Sequence, residues 1–463
     1  MPTSVDARGN VTSAASRDTI ARLDAATDAY LGARASTPDQ IAALVASDPE
    51  CTLAHCLDGY VGMLASRHEG RDHAAAALQR ARGLAAREGH VTPRESGHVR
   101  ALAAWQHGDM RGAADALDEL LRDHPRDLLA VKVSQFVLSY LGESDGMLAS
   151  VARVLPSWSE EVPGYGFLLG CHAYALEETG DYARAEATGR RAVELNPSDI
   201  WAAHAVAHVT EMEGRPHDGL AWIGDVATHW RDCGSFANHL RWHQALLLLD
   251  IERYADALEL YDREVRRVRT DEYLDVTNAV SLLWRLEQAG VNVGDRWVEL
   301  GACARNRVED HALVFVDLHY MMALAAARDP AGVDRFLDSC ERFARGDSTE
   351  AVVMREVGLP AARAVRAHRD GAYADVVRLL YPLRRQVRRI GASHAQRDLF
   401  DQLLIDAACR APATRIAAEL LAERTARRPR NMWGWRHYAT VLDALNAPGA
   451  ADAWRHVERL RGR

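Results

Sequence analysis

Apolar residues recur along most of the chain at the three- to four-residue spacing of helices, and short turns rich in Gly, Pro or Asp interrupt them. Alternating polar and apolar runs, the signature of strands, are nearly absent. The clearest unit is Phe167–Asp199, which has the small residue Ala173 in a first helix, a turn over Gly180–Tyr182 and a stop at Pro197. Because small residues let two helices approach closely, this unit predicts an antiparallel helical hairpin.

The length and spacing of this hairpin are those of the tetratricopeptide repeat. Further turns of the same register are marked by Gly70, Gly108, Gly142, Gly214, Tyr254, Gly290, Asp329 and Gly371. Since each hairpin buries its apolar face only against its neighbours, the pattern predicts an all-α fold, a right-handed α-solenoid of about ten to eleven hairpins. We expect residues 1–16 to form a disordered tail and residues 17–463 to form a single superhelical domain.

Composition narrows the class of protein. The 463 residues include 56 Lys and Arg against 65 Asp and Glu, a net charge of −9. No basic arm stands out, and the run Arg384–Arg389 is interpreted as a solvated helical face, so we expect no nucleic-acid partner. The seven cysteines are scattered without a CxxC motif, and no apolar run is long enough for a membrane span. These features predict a soluble, cytoplasmic protein with no membrane partner, and they leave the oligomeric state open.

Histidines concentrate where a tetratricopeptide groove should lie. The first helix of each repeat lines the groove, with positions two, five, six, nine and twelve facing inward. His204, His208 and Glu211 fall at five, nine and twelve of one repeat, and His239 and His243 at two and six of the next. Spacings of three and four residues place such side chains on one face of a helix.

Other chemically useful side chains fall at or near inward positions of other repeats. They are His98, Lys132, Tyr174, Glu177, Trp242, Asp310, His311, Asp317 and His319.

Three interpretations of the histidines stay open. His204, His208, His239 and His243 are candidate ligands of a divalent metal such as zinc, with Glu211 or Asp310 as ligand or base. Alternatively, the imidazoles act without metal as general acids and bases on a bound molecule. In the third interpretation, several are core histidines held by hydrogen bonds.

Lys132 is the one lysine of the chain, and all other cationic residues apart from histidine are arginine. Because an amine can be deprotonated and a guanidinium cannot, Lys132 is a candidate for imine chemistry or for anchoring an anion, unless it survived by chance. Arg397 and Asp398 follow Gly391 and Ser393 at a predicted helix start, which indicates either an anion site or local capping. Trp242, between two of the histidines, is a candidate ligand contact.

The sequence resembles the tetratricopeptide repeat protein 38 family from about Leu23 to Arg424. The resemblance is carried by stretches such as DHPRDLLAVKVS, NPSDIWAAHAVAHVTEM, HLRWHQAL, RVEDHALVFVDLHYMMAL and GASHAQRDLFDQLLIDAA. They contain Lys132, Arg397, Asp398 and the candidate histidines other than His98. The resemblance implies a helical-repeat fold and a site at these residues, and it implies no settled reaction.

Together these observations predict an enzyme that processes an anionic small molecule in a His-rich groove, by hydrolysis, elimination or imine-type condensation. The alternative is a non-catalytic scaffold that binds a peptide or partner protein in the same groove. The candidate catalytic residues are His204, His208, Glu211, His239, His243 and Lys132. The candidate substrate-binding residues are His98, Trp242, Asp310, His311, His319, Arg397 and Asp398.

Overall fold

A computed structural model describes residues 4–230 and 232–461. Within these ranges the chain is almost wholly helical. In chain order, the first twelve helices are α1 Arg17–Leu31, α2 Thr37–Ser47, α3 Thr52–Leu64, α4 His68–Ala85, α5 Pro93–Gln106, α6 Met110–Asp123, α7 Leu128–Tyr140, α8 Ser144–Val154, α9 Tyr165–Glu178, α10 Tyr182–Leu195, α11 Ile200–Met212 and α12 Pro216–Val226.

The remaining helices are α13 Gly234–Asp250, α14 Tyr254–Leu260, α15 Tyr273–Gln288, α16 Arg296–Arg305, α17 Val314–Ala326, α18 Pro330–Phe343, α19 Thr349–Val353, α20 Leu359–Arg369, α21 Tyr373–Leu380, α22 His394–Arg410, α23 Thr414–Arg427, α24 Met432–Ala444 and α25 Ala450–Arg461. A π-helical turn, Met354–Gly358, joins α19 to α20. The described ranges therefore hold twelve helical pairs, and the predicted all-α solenoid is confirmed with slightly more hairpins than the ten to eleven expected.

Each hairpin turn is built from the residues that marked it in the sequence. Gly180 ends the α9 turn at a φ of 86°, a value that favours glycine. The Asp181 side chain then accepts the backbone N–H of Arg184 and caps α10. Ala185 and Ala192 are fully buried, so α9 and α10 pack closely. Local chemistry thus fixes the hairpins, and stacking of neighbouring pairs forms the core.

The start of the chain differs from the expected disordered tail. Ser4–Val5 (β1) and Val11–Thr12 (β2) pair as a small antiparallel hairpin. Glu95 of α5 accepts hydrogen bonds from Thr12 and from Ser13, at 3.1 and 2.9 Å. These bonds to a residue some eighty positions away hold a polar segment in place, whereas residues 1–3 lie outside the described part.

The later repeats pack against the inner helices of the earlier ones. The Gly108 carbonyl accepts the backbone N–H of Thr349 at 2.9 Å. On α9, Glu178 accepts the backbone N–H of His394 at 2.9 Å. The α22 helix also contacts α15, so the groove predicted from the repeat register is filled by the chain itself at this level. None of the helices in the described ranges is both long and apolar enough to cross a membrane.

Candidate metal centre

Four histidines from two neighbouring inner helices meet in the interior. His204 and His208 lie one turn apart on α11, and His239 and His243 lie one turn apart on α13. One nitrogen from each ring lies within 4.8 Å of the others. All four residues are buried, with exposed fractions of 0–3%. The i, i+4 spacing read from the sequence therefore does bring the four imidazoles together.

Two of the rings are hydrogen-bonded to a polar partner outside the cluster, and a third faces a carboxylate there without a hydrogen bond. The His239 Nδ1–H donates to Asn278 Oδ1 at 2.9 Å, and the His243 Nδ1–H donates to Glu211 Oε2 at 3.2 Å. His208 Nδ1 lies 3.2 Å from an oxygen of Glu177. When an outer acceptor takes the Nδ1 proton, Nε2 keeps its lone pair and is free to ligate.

Two of the inner nitrogens have the separation that a small cation needs. His204 Nε2 and His239 Nε2 are 3.1 Å apart. Nitrogens at ~2.05 Å from a tetrahedral zinc lie about 3.3 Å from one another. Within the described residues, Nε2 of His208 and Nε2 of His243 have no hydrogen-bond partner although both are buried. Buried nitrogens are rarely left unpaired, so these two are candidate ligand atoms.

The imidazoles are held in the form that binds metals. Burial lowers the pKa of His239 to about 3; the hydrogen bond to Asn278 opposes this shift, and neighbouring His208 contributes to it. Burial and the neighbouring histidines also hold the pKa values of His204 and His243 well below their ordinary range. These three rings are therefore neutral at physiological pH, with a nitrogen lone pair available for coordination.

A second group of ligand atoms adjoins the first and shares His208 with it. Its other members are Glu177, Glu178 and His394. His394 Nε2 lies 2.6 Å from Glu177 Oε1. Burial opposes the charge on both partners, but their attraction outweighs it: the pKa of His394 rises to about 9, and that of Glu177 falls to about 2. This group is therefore an ion pair next to the four histidines.

Trp242 and Lys132 border the cluster without entering it. The Trp242 ring is fully buried and stacks on His239 at a centroid distance of 5.2 Å. Lys132 Nζ lies 3.5 Å from the centroid of Trp201, whose ring is 5.5 Å from that of His204. Burial lowers the pKa of Lys132. The lysine is thus a buried amine one aromatic ring away from the imidazoles.

Arg397 and Asp398 lie at the other side of the cluster, on α22. Asp398 makes a bidentate ion pair with Arg424, at 2.5 and 3.0 Å. Arg428 lies 3.7 Å from both Asp398 and Glu211, so it connects this pair to the partner of His243. Asp398, predicted only as part of a helix start, therefore belongs to a charge network that reaches His243 through Arg428 and Glu211.

The structure separates His98 and His319 from the cluster. His98 Nε2 pairs with Asp127 at 2.9 Å, and its Nδ1 lies 3.1 Å from the Tyr60 hydroxyl, so both nitrogens are used inside the N-terminal core. His319 Nδ1 donates to the Phe315 carbonyl at 2.8 Å in an apolar environment. Their assignment as substrate-binding residues stays a prediction, but they do not join the four histidines, because inward positions of distant repeats point to different parts of the interior.

Asp310 and His311 also lie elsewhere. His311 pairs with Asp317 at 3.3 Å and with Ser339 at 2.9 Å, and it lines a separate cavity of about 150 Å³ with Glu350. Asp310 lies 3.6 Å from Arg307. Asp310 is therefore not placed to act as a ligand or base at the four histidines.

Sequence reasoning assigned no role at the site to several residues that orient it. Glu177 and His394 carried a signal, since Glu177 falls at position twelve of its repeat and His394 opens a helix in one of the stretches that carry the resemblance. Asn278, Arg424 and Arg428 carried none, because their role depends on which repeats meet in space.

Comparison with solved structures finds proteins with a similar helical fold. Human IFIT1, solved as a dimer with PPP-AAAA, is 14% identical with a TM-score of 0.39, covering 89% of this chain and 91% of that one. A Naa15/Naa10 complex bound to HypK-THB is 12% identical with a TM-score of 0.24, covering 95% of this chain and 68% of that one. At these values the likeness concerns only the fold. No family model matches the sequence.

The comparisons correct one expectation. Human IFIT1 is also solved with m7Gppp-AAAA, so the expectation that a chain of this helical class has no nucleic-acid partner is withdrawn. The physical reason is that a net charge of −9 sums over the whole chain and does not report a local group of arginines. The structure contains such a group, which includes part of the run Arg384–Arg389.

Proposed function

We propose that the protein is a metalloprotein that holds one divalent transition metal, zinc in the first place, on His204, His208, His239 and His243. The observation that carries the proposal is the convergence of four buried imidazole nitrogens, with the rings of His239 and His243 hydrogen-bonded from outside to Asn278 and Glu211 and that of His208 facing Glu177 at 3.2 Å. Imidazole is the commonest protein ligand of such metals, and outer acceptors of this kind raise its basicity.

His204 differs from the other three ligands. Its Nδ1 has neither a hydrogen-bond partner nor a carboxylate at ion-pair distance among the described residues, whereas the Nδ1 of His208, which also lacks a hydrogen bond, lies 3.2 Å from a Glu177 oxygen. Catalytic zinc sites keep three firm ligands and one exchangeable position, whereas structural sites use four firm ligands. We therefore propose that His208, His239 and His243 form the firm set and that His204 occupies the exchangeable position.

This arrangement favours metal-assisted catalysis over a peptide scaffold. A peptide in an open groove would have to reach the imidazoles, but they are buried under α22. Lys132 and Arg397 stay candidates for orienting an anionic group. Membership of the tetratricopeptide repeat protein 38 family, suggested by the stretches quoted above, is part of this proposal.

Metal content tests the proposal. We expect protein purified without a tag, and reconstituted with zinc, to carry about one equivalent by mass spectrometry, and we expect His243→Ala to lose it. His229→Ala changes an exposed histidine and is the matched control, which should keep full content. His204→Ala should keep the metal if the position is exchangeable. No metal in the wild type after reconstitution would overturn the proposal.

A further inference from the structure

A cavity of about 420 Å³ opens beside the four histidines, between α22, the end of α23 and the segment that precedes α22. Seven arginine side chains and three carboxylates line it. The lining therefore has four more arginines than carboxylates, in a chain whose net charge is −9. Such an excess of one charge in a concave site concentrates counter-ions of the opposite sign.

The inner arginines of this cavity are held in place by the fold. Arg424 is fixed by its bidentate pair with Asp398. The Arg397 guanidinium donates to the Gly391 carbonyl at 3.2 Å and to Glu178 at 3.4 Å. Fixed guanidinium groups lose little conformational freedom when they bind an anion, so they form a preorganised wall.

The outer arginines are free to engage a ligand. Arg385 and Arg388 are exposed, and within the described ranges neither has a carboxylate at ion-pair distance. Their neighbours differ in this respect, because Arg384 lies 3.2 Å from Glu419 and Arg389 lies 2.6 Å from Glu356. The cavity thus has two unpaired arginines at its rim and a wall of fixed arginines behind them. This arrangement suits an anion with several charges.

We infer that this cavity binds a phosphate-bearing polyanion, of the class of a di- or triphosphate group. A guanidinium group can bind two oxygens of one phosphate at the same time. A ligand with one carboxylate would balance only one of the four excess positive charges, whereas a di- or triphosphate carries several negative charges. The volume lies within the range of ~300–1,000 Å³ typical of ligand pockets. The inference does not depend on the metal, since none of the arginines is a candidate metal ligand.

Two carboxylates connect the cavity to the histidines. Glu177 reaches His208 with one oxygen and cavity-lining His394 with the other, at 3.2 and 2.6 Å. Glu211 reaches His243 with one oxygen and cavity-lining Arg428 with the other, at 3.2 and 3.7 Å. A phosphate group in the cavity would therefore lie one carboxylate away from the imidazoles.

The test is calorimetric titration of the full chain with inorganic triphosphate, ATP and, as a polycarboxylate, citrate. We expect both phosphates to bind, citrate to bind at least about tenfold more weakly, and binding of the phosphates to weaken as salt is added. Tighter binding of ATP than of triphosphate would show that the ligand is a nucleotide, and equal binding that it is the oligophosphate alone. Both outcomes support the site.

Two charge-matched double variants decide whether binding occurs here. Arg385→Glu with Arg388→Glu reverses the two rim charges and should weaken triphosphate binding at least about tenfold. Arg80→Glu with Arg82→Glu makes the same change in net charge at exposed positions of α4 and should leave binding unchanged. Equal losses in the two double variants, tighter binding of citrate than of triphosphate, or no binding of either phosphate would overturn the inference.

Discussion

Glu350 is a buried carboxyl group that the proposed functions do not use. Its Oε2 accepts the backbone N–H of Val314 at 2.7 Å, and its Oε1 has no hydrogen-bond partner among the described residues. Burial raises the pKa of Glu350 to about 8, the Val314 bond opposes this shift, and the negative charge of Asp317 adds to it. The side chain is therefore protonated at neutral pH in the folded protein.

This raised pKa predicts a pH-dependent stability. The stabilising effect of the neutral form is complete below an unfolded pKa of about 4.5 and is lost as the pH rises through about 8. We expect Glu350→Gln, which keeps an acceptor for Val314, to remove this dependence. Denaturant titrations at pH 5 and pH 8.5 should show a larger loss of unfolding free energy in the wild type than in the variant.

The matched control is Glu88→Gln at an exposed position, which should lose stability between the two pH values as the wild type does. If Glu350→Gln and the wild type respond equally to pH, Glu350 is charged in the folded protein.

At the same scale, the sequence predicts the metal ligands better than the residues that orient them. Four histidines at i, i+4 spacing in adjacent repeats are visible in the repeat register. The acceptor of His239 is Asn278, which comes from the following repeat, and no local pattern distinguishes this asparagine. Residues whose function depends on a long-range contact can be identified only from the structure.

At the scale of elements, some hairpin turns only end a helix, and others also pack against a later segment of the chain. Gly142 and Gly180 both end inner helices with positive φ values, 69° and 86°. A Cβ at Gly180 would meet no atom within 4 Å, whereas a Cβ at Gly142 would overlap the Arg388 carbonyl. The turn glycine of α7 is therefore also the surface on which the segment before α22 packs.

Because only Gly142 is in close contact with another segment, we expect replacement by alanine to destabilise the protein more at Gly142 than at Gly180. Gly142→Ala and Gly180→Ala both force alanine into the left-handed region, at a cost of ~1 kcal/mol. Only Gly142→Ala also displaces Arg388, so it should destabilise the protein by a further ~1–3 kcal/mol. Chemical denaturation of the two variants measures the difference, and equal destabilisation would show that the later segment does not pack on this turn.

Local sequence chemistry predicts the hairpins but misses the strand pair at the start of the chain. The turn glycines and capping aspartates are encoded within each repeat. By contrast, the segment containing Thr12 is polar and is ordered by Glu95, so its sequence resembles that of a disordered tail.

For the whole molecule, the decisive feature is that late repeats fill the groove of early ones. Glu177 and His394 are 217 positions apart and make one of the closest contacts near the histidines. Repeat register predicts which face of a helix points inward, but it does not predict which distant repeat covers that face. The enclosed site was therefore not visible in the sequence, although the solenoid was.

Because the four-histidine site is enclosed by distant repeats, we expect a bound metal to stabilise the entire fold. Zinc at a free concentration 100 times its dissociation constant should add about 2.7 kcal/mol to the unfolding free energy if it binds only the folded chain. We expect the Tm of chelator-treated wild type and of the His229→Ala control to rise on zinc addition, and that of His243→Ala to stay unchanged. A similar rise in His243→Ala would place zinc elsewhere.

The single lysine has a practical consequence. Lys132 is the one side-chain amine of the protein, and it is buried beneath the Trp201 ring. Acylating reagents therefore reach it only when the interior opens, and each chain then gains one side-chain adduct at a known position. The rate of that single mass increment reports how often the interior opens, without any engineered label.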